Sequence, residues 1–353
     1  MEPLFLTVIC GCNAGLFREA LHEVYIPRMQ RGDTRFAANV LGATGPLLSA
    51  LVHFFEDGRW GSLVETGIEG QSLTAEDKVF ILMQAGLYLM ATRGLGAPEA
   101  RICYERAEPL CHSLNEPRLL HVALGGEFRY TLTRDKLSRA IQIAERLYSV
   151  AQEQNDATLM LGAYAAFAVT FYFLGEFESA RQYARRGVQI WRLGDVQSPT
   201  EDYLNPVVNS LIFGAMSEWH LGEIASCHAL MHEGISIAKE LKDMNSLAIA
   251  LSRAANLAYF ERNPAEADRF ASELIELSTR HNFVYWLALG AICRGWARSA
   301  SGDTATGIPW IEQGIRDIRT IGTVLGLSGN LAIKAEALYL ARPRLRPARC
   351  RGI

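Results

Sequence analysis

The sequence predicts an all-α chain, a solenoid of antiparallel helix hairpins with a period near 40 residues, on three observations. Apolar residues recur at spacings of three and four along the 353 residues, the period of a helix face, while two-residue alternation bounded by turn residues is scarce. The breaks "RGLGAP", "SLNEP", "LTRD", "LGE", "ERNP" and "SASGD" separate segments of about 15 to 20 residues, a helix length rather than a strand length. Small residues also repeat. Counting from Ala180, five residues after Gly175, equivalent positions fall at Ala100, Ala140, Ala180, Cys227, Ala267 and Gly307, at intervals of 40, 40, 47, 40 and 40. A fixed period of this size marks stacked supersecondary units.

Taken from the N-terminus, two weaker copies of the unit are read around "GLFREALHEV", with Ala20, and "DGRWGSLVETG", with Leu63. The next helix starts at Thr74, which with Asp77 three residues on forms a capping-box pattern. Pro98 and Pro117 stand where a first helical position, whose N–H has no partner inside the helix, tolerates proline. The single interval of 47 coincides with "RLGDVQSPTEDYLNP", whose Ser, Pro, Asp and Asn mark an insertion of about seven residues near 192–206. Seven residues beyond each reference position the same phase gives Ala107, Leu147, Gly187, Gly234, Leu274 and Gly314. Mid-helix glycine costs on the order of 1 kcal/mol relative to Ala, so its recurrence there implies that another backbone passes close by. On the preceding helices the matching positions read Ala168, Ala215, Ala255 and Gly295, so that small residues face small ones. The array is therefore expected to span 1–341 with about eight hairpins, closing on a helix near 323–341. An Arg- and Pro-rich tail, 342–353, follows and is expected to be disordered.

Within each hairpin, Gly, then Phe two residues later, Ala five later and small residues at nine and twelve resemble the tetratricopeptide repeat, with a longer period than its usual 34 or so. That resemblance implies a right-handed superhelix. The stretches "LTAEDKVFILMQAGLYLMATRG", "ARICYERAEPLCHSLN", "VAQEQNDATLMLGAY", "ERNPAEADRFASELIELSTRHNF" and "GWARSASGDTATGIPWIEQGI" are further similar to the helical-repeat region of large bacterial signalling ATPases. In those proteins a nucleotide-cyclase domain and an ATPase domain precede the repeats. The similarity covers roughly residues 13–340 and departs from the family in what is missing: there is no G-x-x-x-x-G-K-[ST] phosphate loop and no cyclase metal-carboxylate pair. It implies a repeat arm without its catalytic domains, with either those domains or another chain covering its apolar ends.

Composition narrows the function classes. At 49% hydrophobic and 21% charged residues the chain has the profile of a folded domain, and a formal charge of −3 offers no global field for nucleic acid or anionic membrane. Seven scattered cysteines fit a reducing, cytoplasmic setting. The opening "MEPLFLTVICGC" lacks the basic region of a signal peptide, and no uninterrupted apolar run reaches membrane-spanning length. His228 and His232 lie four apart beside Cys227, a metal-compatible spacing, but the repeat phase makes Cys227 a packing position and turns both His toward solvent. Cys10 and Cys12 have no partner pair, "RGD" at 31–33 reads as a turn, and "GLG" at 94–96 lacks a preceding strand. No G-x-S-x-G is present. No enzyme activity, cofactor or metal is expected.

The aromatic residues carry the binding expectation. In tetratricopeptide-like stacks the first helix of each hairpin lines a concave groove, and positions three or six residues before the turn face inward. Those places hold Tyr172, Trp219, Tyr259 and Trp296, with Asn209, Asn256 and Ser299 beside them. Rings flanked by amides suit a peptide, a partner helix or a small polar ligand; alternatively, longer helices shift the phase and the rings are core. The leading expectation is a non-catalytic protein-interaction or regulatory scaffold, a fragment of a larger ATP-dependent signalling or transcription regulator, whose partner is another protein or the missing domains. The alternative is an effector-sensing domain with a small molecule in the groove, as implied by a likeness to the arrays of maltose-type transcription regulators.

Overall fold

A computed structural model of the chain describes residues 2–32, 36–39, 41–65, 67–134, 136–194 and 204–342. Among them the structure is helical throughout, the sole β feature being an isolated antiparallel bridge between Phe55 and Leu63. The N-terminal part is irregular: α1 (Glu2–Asn13), α2 (Phe17–Glu19) running into a π-helical stretch (Ala20–Gln30), α3 (Phe36–Asn39) and α4 (Thr44–Leu51). Then come α5 (Ala75–Arg93), α6 (Pro98–Leu114), α7 (Pro117–Thr133), α8 (Leu137–Gln154), α9 (Ala157–Leu174) and α10 (Phe177–Arg192). These are followed by α11 (Pro206–His220), α12 (Ile224–Glu240), α13 (Met244–Phe260), α14 (Pro264–His281), α15 (Val284–Ala300), α16 (Thr304–Thr320) and α17 (Leu327–Leu340).

The boundaries follow from local chemistry. Thr74 and Asp77 close the expected capping box, at 3.2 and 3.0 Å, and Pro98, Pro117, Pro206 and Pro264 open their helices. Asp156, Asn205, Asp243, Asn263 and Asp303 each accept a backbone N–H in the first turn of the helix they precede. At the other ends, Asn115, Asn155, Gly175 and Asn282 take the left-handed conformation that terminates a helix.

From α5 to α16 the helices pair as six hairpins, and each helix packs on its successor. The odd-numbered helices also touch one another in series, α5 on α7, α7 on α9, α9 on α11, α11 on α13 and α13 on α15, and so form an inner layer. Their residues are buried almost all round, whereas the even-numbered helices bury one stripe and form an outer layer. All the phased small positions are buried: Ala100, Ala140, Ala180, Cys227, Ala267 and Gly307, and likewise Ala107, Leu147, Gly187, Gly234, Leu274 and Gly314. Two of the glycines show why. A Cβ on Gly314 would lie 2.6 Å from the carbonyl oxygen of Ala288 on α15, and one on Gly187 would lie 2.7 Å from Oγ of Ser210 in the next hairpin. The period is thus an all-α helical solenoid stacked through its smallest side chains.

Three expectations need correction or qualification. Six regular hairpins are present among the described residues rather than about eight, because Leu63 lies in the β bridge and not in a helix, and Ala20 begins the π-helical stretch. Around Leu63 the Gly-rich "GRWGS" and "GIEGQS" carry no helical face, and Pro27 removes a backbone donor inside the π-helical stretch. The insertion near 192–206 is bounded by the end of α10 and the start of α11, but its residues 195–203 lie outside the described residues, as does the tail from 343 to 353. Finally, α9 is 18 residues long, carries no charge and is apolar enough to cross a membrane by length and composition, contrary to the expectation that no such run exists. Its apolar surface is used inside the fold, against α8, α10 and α11.

The solenoid also returns on itself. α15 touches α5, and the turn after α16 seats on the ends of α5 and α7. Val324 and Leu325 donate their backbone N–H groups to the carbonyl of Thr133 at 2.9 and 3.1 Å, and Arg134 donates to the carbonyl of Gly322 at 2.6 Å. Gly94 and Gly96 lie under Ile321 and Thr323 with no room to spare. On the N-terminal side, Gly42 lies against His281 at the end of α14.

Candidate interaction surface and interior cavity

The candidate aromatics fall at the last turns of the inner helices, and the structure joins them into one ridge crossing successive hairpins. Phe177 stacks on His220 at 3.9 Å between centroids, Tyr172 and Trp219 flank His220 at 5.8 and 5.0 Å, and Trp219 stacks on Phe260 at 5.0 Å. Tyr259 follows, edge-on to Trp296 at 4.9 Å. Tyr172, Trp219, Tyr259, Phe177 and Phe260 are half-buried, and His220 is open to solvent on one side. Partial burial holds the His220 imidazole below its ordinary pKa, which keeps it neutral and compatible with the rings around it.

Trp296 differs from the rest. It is 1% exposed, and its indole N–H donates to Glu336 on α17 at 3.1 Å. Arg262 reaches the same carboxylate at 2.6 Å, and the Tyr259 hydroxyl approaches it at 3.3 Å. Burial works to raise the Glu336 pKa, and the hydrogen bonds from Arg262 and Trp296 outweigh it, leaving the carboxyl below its usual value. Trp296 therefore anchors the last helix and offers no open ring. Asn256 accepts a hydrogen bond from Sγ of Cys293 at 3.1 Å, which assigns it to helix packing. Of the seven residues in that group, Asn209 lines the interior.

That interior is a cavity along the solenoid axis, with about 760 Å³ of atom-free space when its mouth is counted. It is narrow: water centres can occupy about 70 Å³ of it. Phe128, Leu132, Phe173, Phe213, Tyr285 and Trp286 are among the large apolar and aromatic residues of its wall, and His121, Arg129, Asn209 and Arg253 are among the polar ones. Among the described residues no Asp or Glu lines it. Sequence reasoning missed Arg253, yet a signal was available, since it is the one charged residue of α13.

The cysteines and histidines weighed in the sequence are placed by packing. Burial pushes the thiols of Cys12, Cys103, Cys227 and Cys293 up to about 12, and that of Cys111 up to about 11, so none of them is a ready nucleophile. His228 and His232 are exposed, and His228 pairs with Glu261 at 2.9 Å. Among the described residues no group of three or more His, Cys, Asp or Glu side chains is arranged to hold a metal.

Geometry of this kind defines a helical-repeat solenoid with a closed inner layer. No family model and no curated protein matches the chain. Among solved structures it is similar to a Rap protein complexed with competence and sporulation factor, at 11% identity and a TM-score of 0.54, over 86% of this chain and 84% of that one. At that identity the likeness establishes the fold, an all-α tetratricopeptide-like repeat.

Proposed function

We propose that the chain is a non-catalytic interaction scaffold that docks a partner protein on its aromatic ridge, and that it serves as the repeat arm of a larger ATP-dependent signalling or transcription regulator. The observation that carries the reading is the ridge itself: Phe177, Trp219, His220 and Phe260 stack across three hairpins while remaining partly open to solvent. The turns that bear it also leave Leu174, Leu221 and Ile224 exposed, at 39%, 38% and 43%. Half-open aromatics beside exposed aliphatics are the usual anchors of a protein interface. The similar Rap protein, itself seen in complex with a factor, supports the same reading. The test is capture of partners by the chain from an extract of its own source, compared with Trp219→Ala plus Tyr259→Ala. A partner retained by the wild type and lost by the double variant supports the ridge, and undiminished capture removes it.

A second reading, small-molecule effector sensing, is favoured by one observation, the interior cavity. A ligand there would touch five inner helices at once, α7, α9, α11, α13 and α15, and so bias the curvature of the whole array.

A further inference from the structure

Arg253 is 9% exposed, lies on the cavity wall, and has no hydrogen-bonding or ionic partner among the described residues; its Nε is fully enclosed. The face of Phe213 lies 6.0 Å from the guanidinium carbon, and the charge also acts on Tyr172 and on the buried Tyr285 and Cys293, where it opposes the rise in pKa that burial causes. Two more polar atoms of the lining are enclosed without a partner: Nε1 of Trp286, a residue 2% exposed, and Oδ1 of Asn209. The guanidinium charge is fixed, and a buried, unpaired charge in an apolar setting is strongly unfavourable unless something enters to balance it. Arg129 and His121 also line the cavity, and none of the described lining residues is a carboxylate.

We propose that the cavity is a ligand site for a small carboxylate with an apolar body, its carboxylate held by Arg253 and the indole N–H of Trp286. The inference rests on the effector-sensing reading and names its ligand class. Three features select the class. A guanidinium presents parallel N–H donors that match the two oxygens of a carboxylate. An indole N–H can only donate, so it too favours an acceptor. The remainder of the wall, with Phe128, Leu132, Phe173, Phe213 and Tyr285, suits hydrocarbon, which disfavours a bare phosphate or sulfate whose other oxygens would be left without donors. Size sets the last limit. At about 30 Å³ per water, 70 Å³ holds roughly two waters, so a ligand the size of isovalerate or benzoate extends from the enclosed part into the open mouth, and a folded peptide segment does not fit unless the ring opens.

The experiment is thermal unfolding and calorimetric titration of the full chain with sodium benzoate and sodium isovalerate. Benzyl alcohol and isoamyl alcohol serve as neutral counterparts, and inorganic phosphate as the bare anion. The expected result is a saturable rise in Tm with at least one carboxylate, with little response to the alcohols or to phosphate. Arg253→Met is expected to keep the wild-type helix content, to match or exceed the wild-type Tm without ligand because a buried unpaired charge has gone, and to bind the carboxylate about tenfold more weakly or worse. Should that variant fail to fold, the comparison of acid with alcohol on the wild type still decides the matter, since both differ mainly in charge. Equal response to acids and alcohols overturns the carboxylate assignment while leaving effector sensing in place. Response to phosphate alone overturns the assignment as well, and silence toward every compound overturns both. The ridge variant Trp219→Ala plus Tyr259→Ala should retain the carboxylate response, which keeps this outcome separate from loss of a protein partner.

Discussion

Gly314 shows how a single side chain, or the lack of one, sets the stacking. Alanine there would gain about 1 kcal/mol in helix propensity, but its Cβ would press on the Ala288 carbonyl at 2.6 Å and on the Ile292 side chain, and backbone gives way at higher cost than a flexible chain. We expect Gly314→Ala to lose about 1–3 kcal/mol net in urea unfolding, with an unchanged ligand-free fold by circular dichroism. A gain in stability would mean that α15 and α16 are farther apart than described. Arg253 is the opposite case, a large charged side chain enclosed on an otherwise uncharged inner helix, and Trp296 is a third, a ring expected in a groove that is spent on holding Glu336. In each case burial and hydrogen bonding at the particular atom decide the role, and residue type alone does not.

At the scale of the helix, much was legible. The small-residue phase, the breaks and the capping box at Thr74 all correspond to structure, because helix termini and close contacts are written in local residue choice. A periodic count misplaces the N-terminal copies, because Ala20 and Leu63 share the spacing but not the chemistry: Pro27 and the glycines around Leu63 override it. The direction of the aromatics was only half legible, since Tyr172, Trp219 and Tyr259 meet on one ridge while Trp296 turns into the core. Capping supplies the sharpest test at this scale. Asp156 caps α9 through the N–H groups of Thr158 and Leu159, at 2.8 and 3.3 Å, and also pairs with Arg118 on α7 at 2.9 Å. Burial works to raise its pKa, and these hydrogen bonds together pull it below the usual value. A depressed folded pKa contributes stability that is present above the ordinary Asp value near 3.9 and is lost as pH falls through the lower, folded one. Asp156→Ala should therefore cost roughly 1 kcal/mol at neutral pH and flatten the acid limb of the stability curve, measured by chemical unfolding from pH 7 down to 3. An acid limb as steep as that of the wild type would show that the carboxylate does not stabilise α9 as described.

Over the whole molecule, the decisive feature is that the inner helices close into a ring instead of lining an open groove. Nearest-neighbour stacking alone makes an extendable array, and here it is interrupted by long-range contacts. Thr133 holds Val324 and Leu325, Arg134 holds Gly322, and Gly94 and Gly96 admit the turn after α16. In the sequence "RGLGAP" reads only as a break, because nothing local marks the glycines as a docking floor for residues more than two hundred positions away. Closure is what makes the interior small and links any interior ligand to the shape of the ring. It is tested most directly by a paired substitution, Gly96→Cys with Thr323→Cys: a Cβ on Gly96 would stand 3.2 Å from Oγ1 of Thr323, within disulfide reach. Under mild oxidation the account predicts rapid formation of a 96–323 cross-link in the monomer, read by mass spectrometry of the digested chain. Two thiols that label freely yet never join within one chain would contradict it and restore an open superhelix.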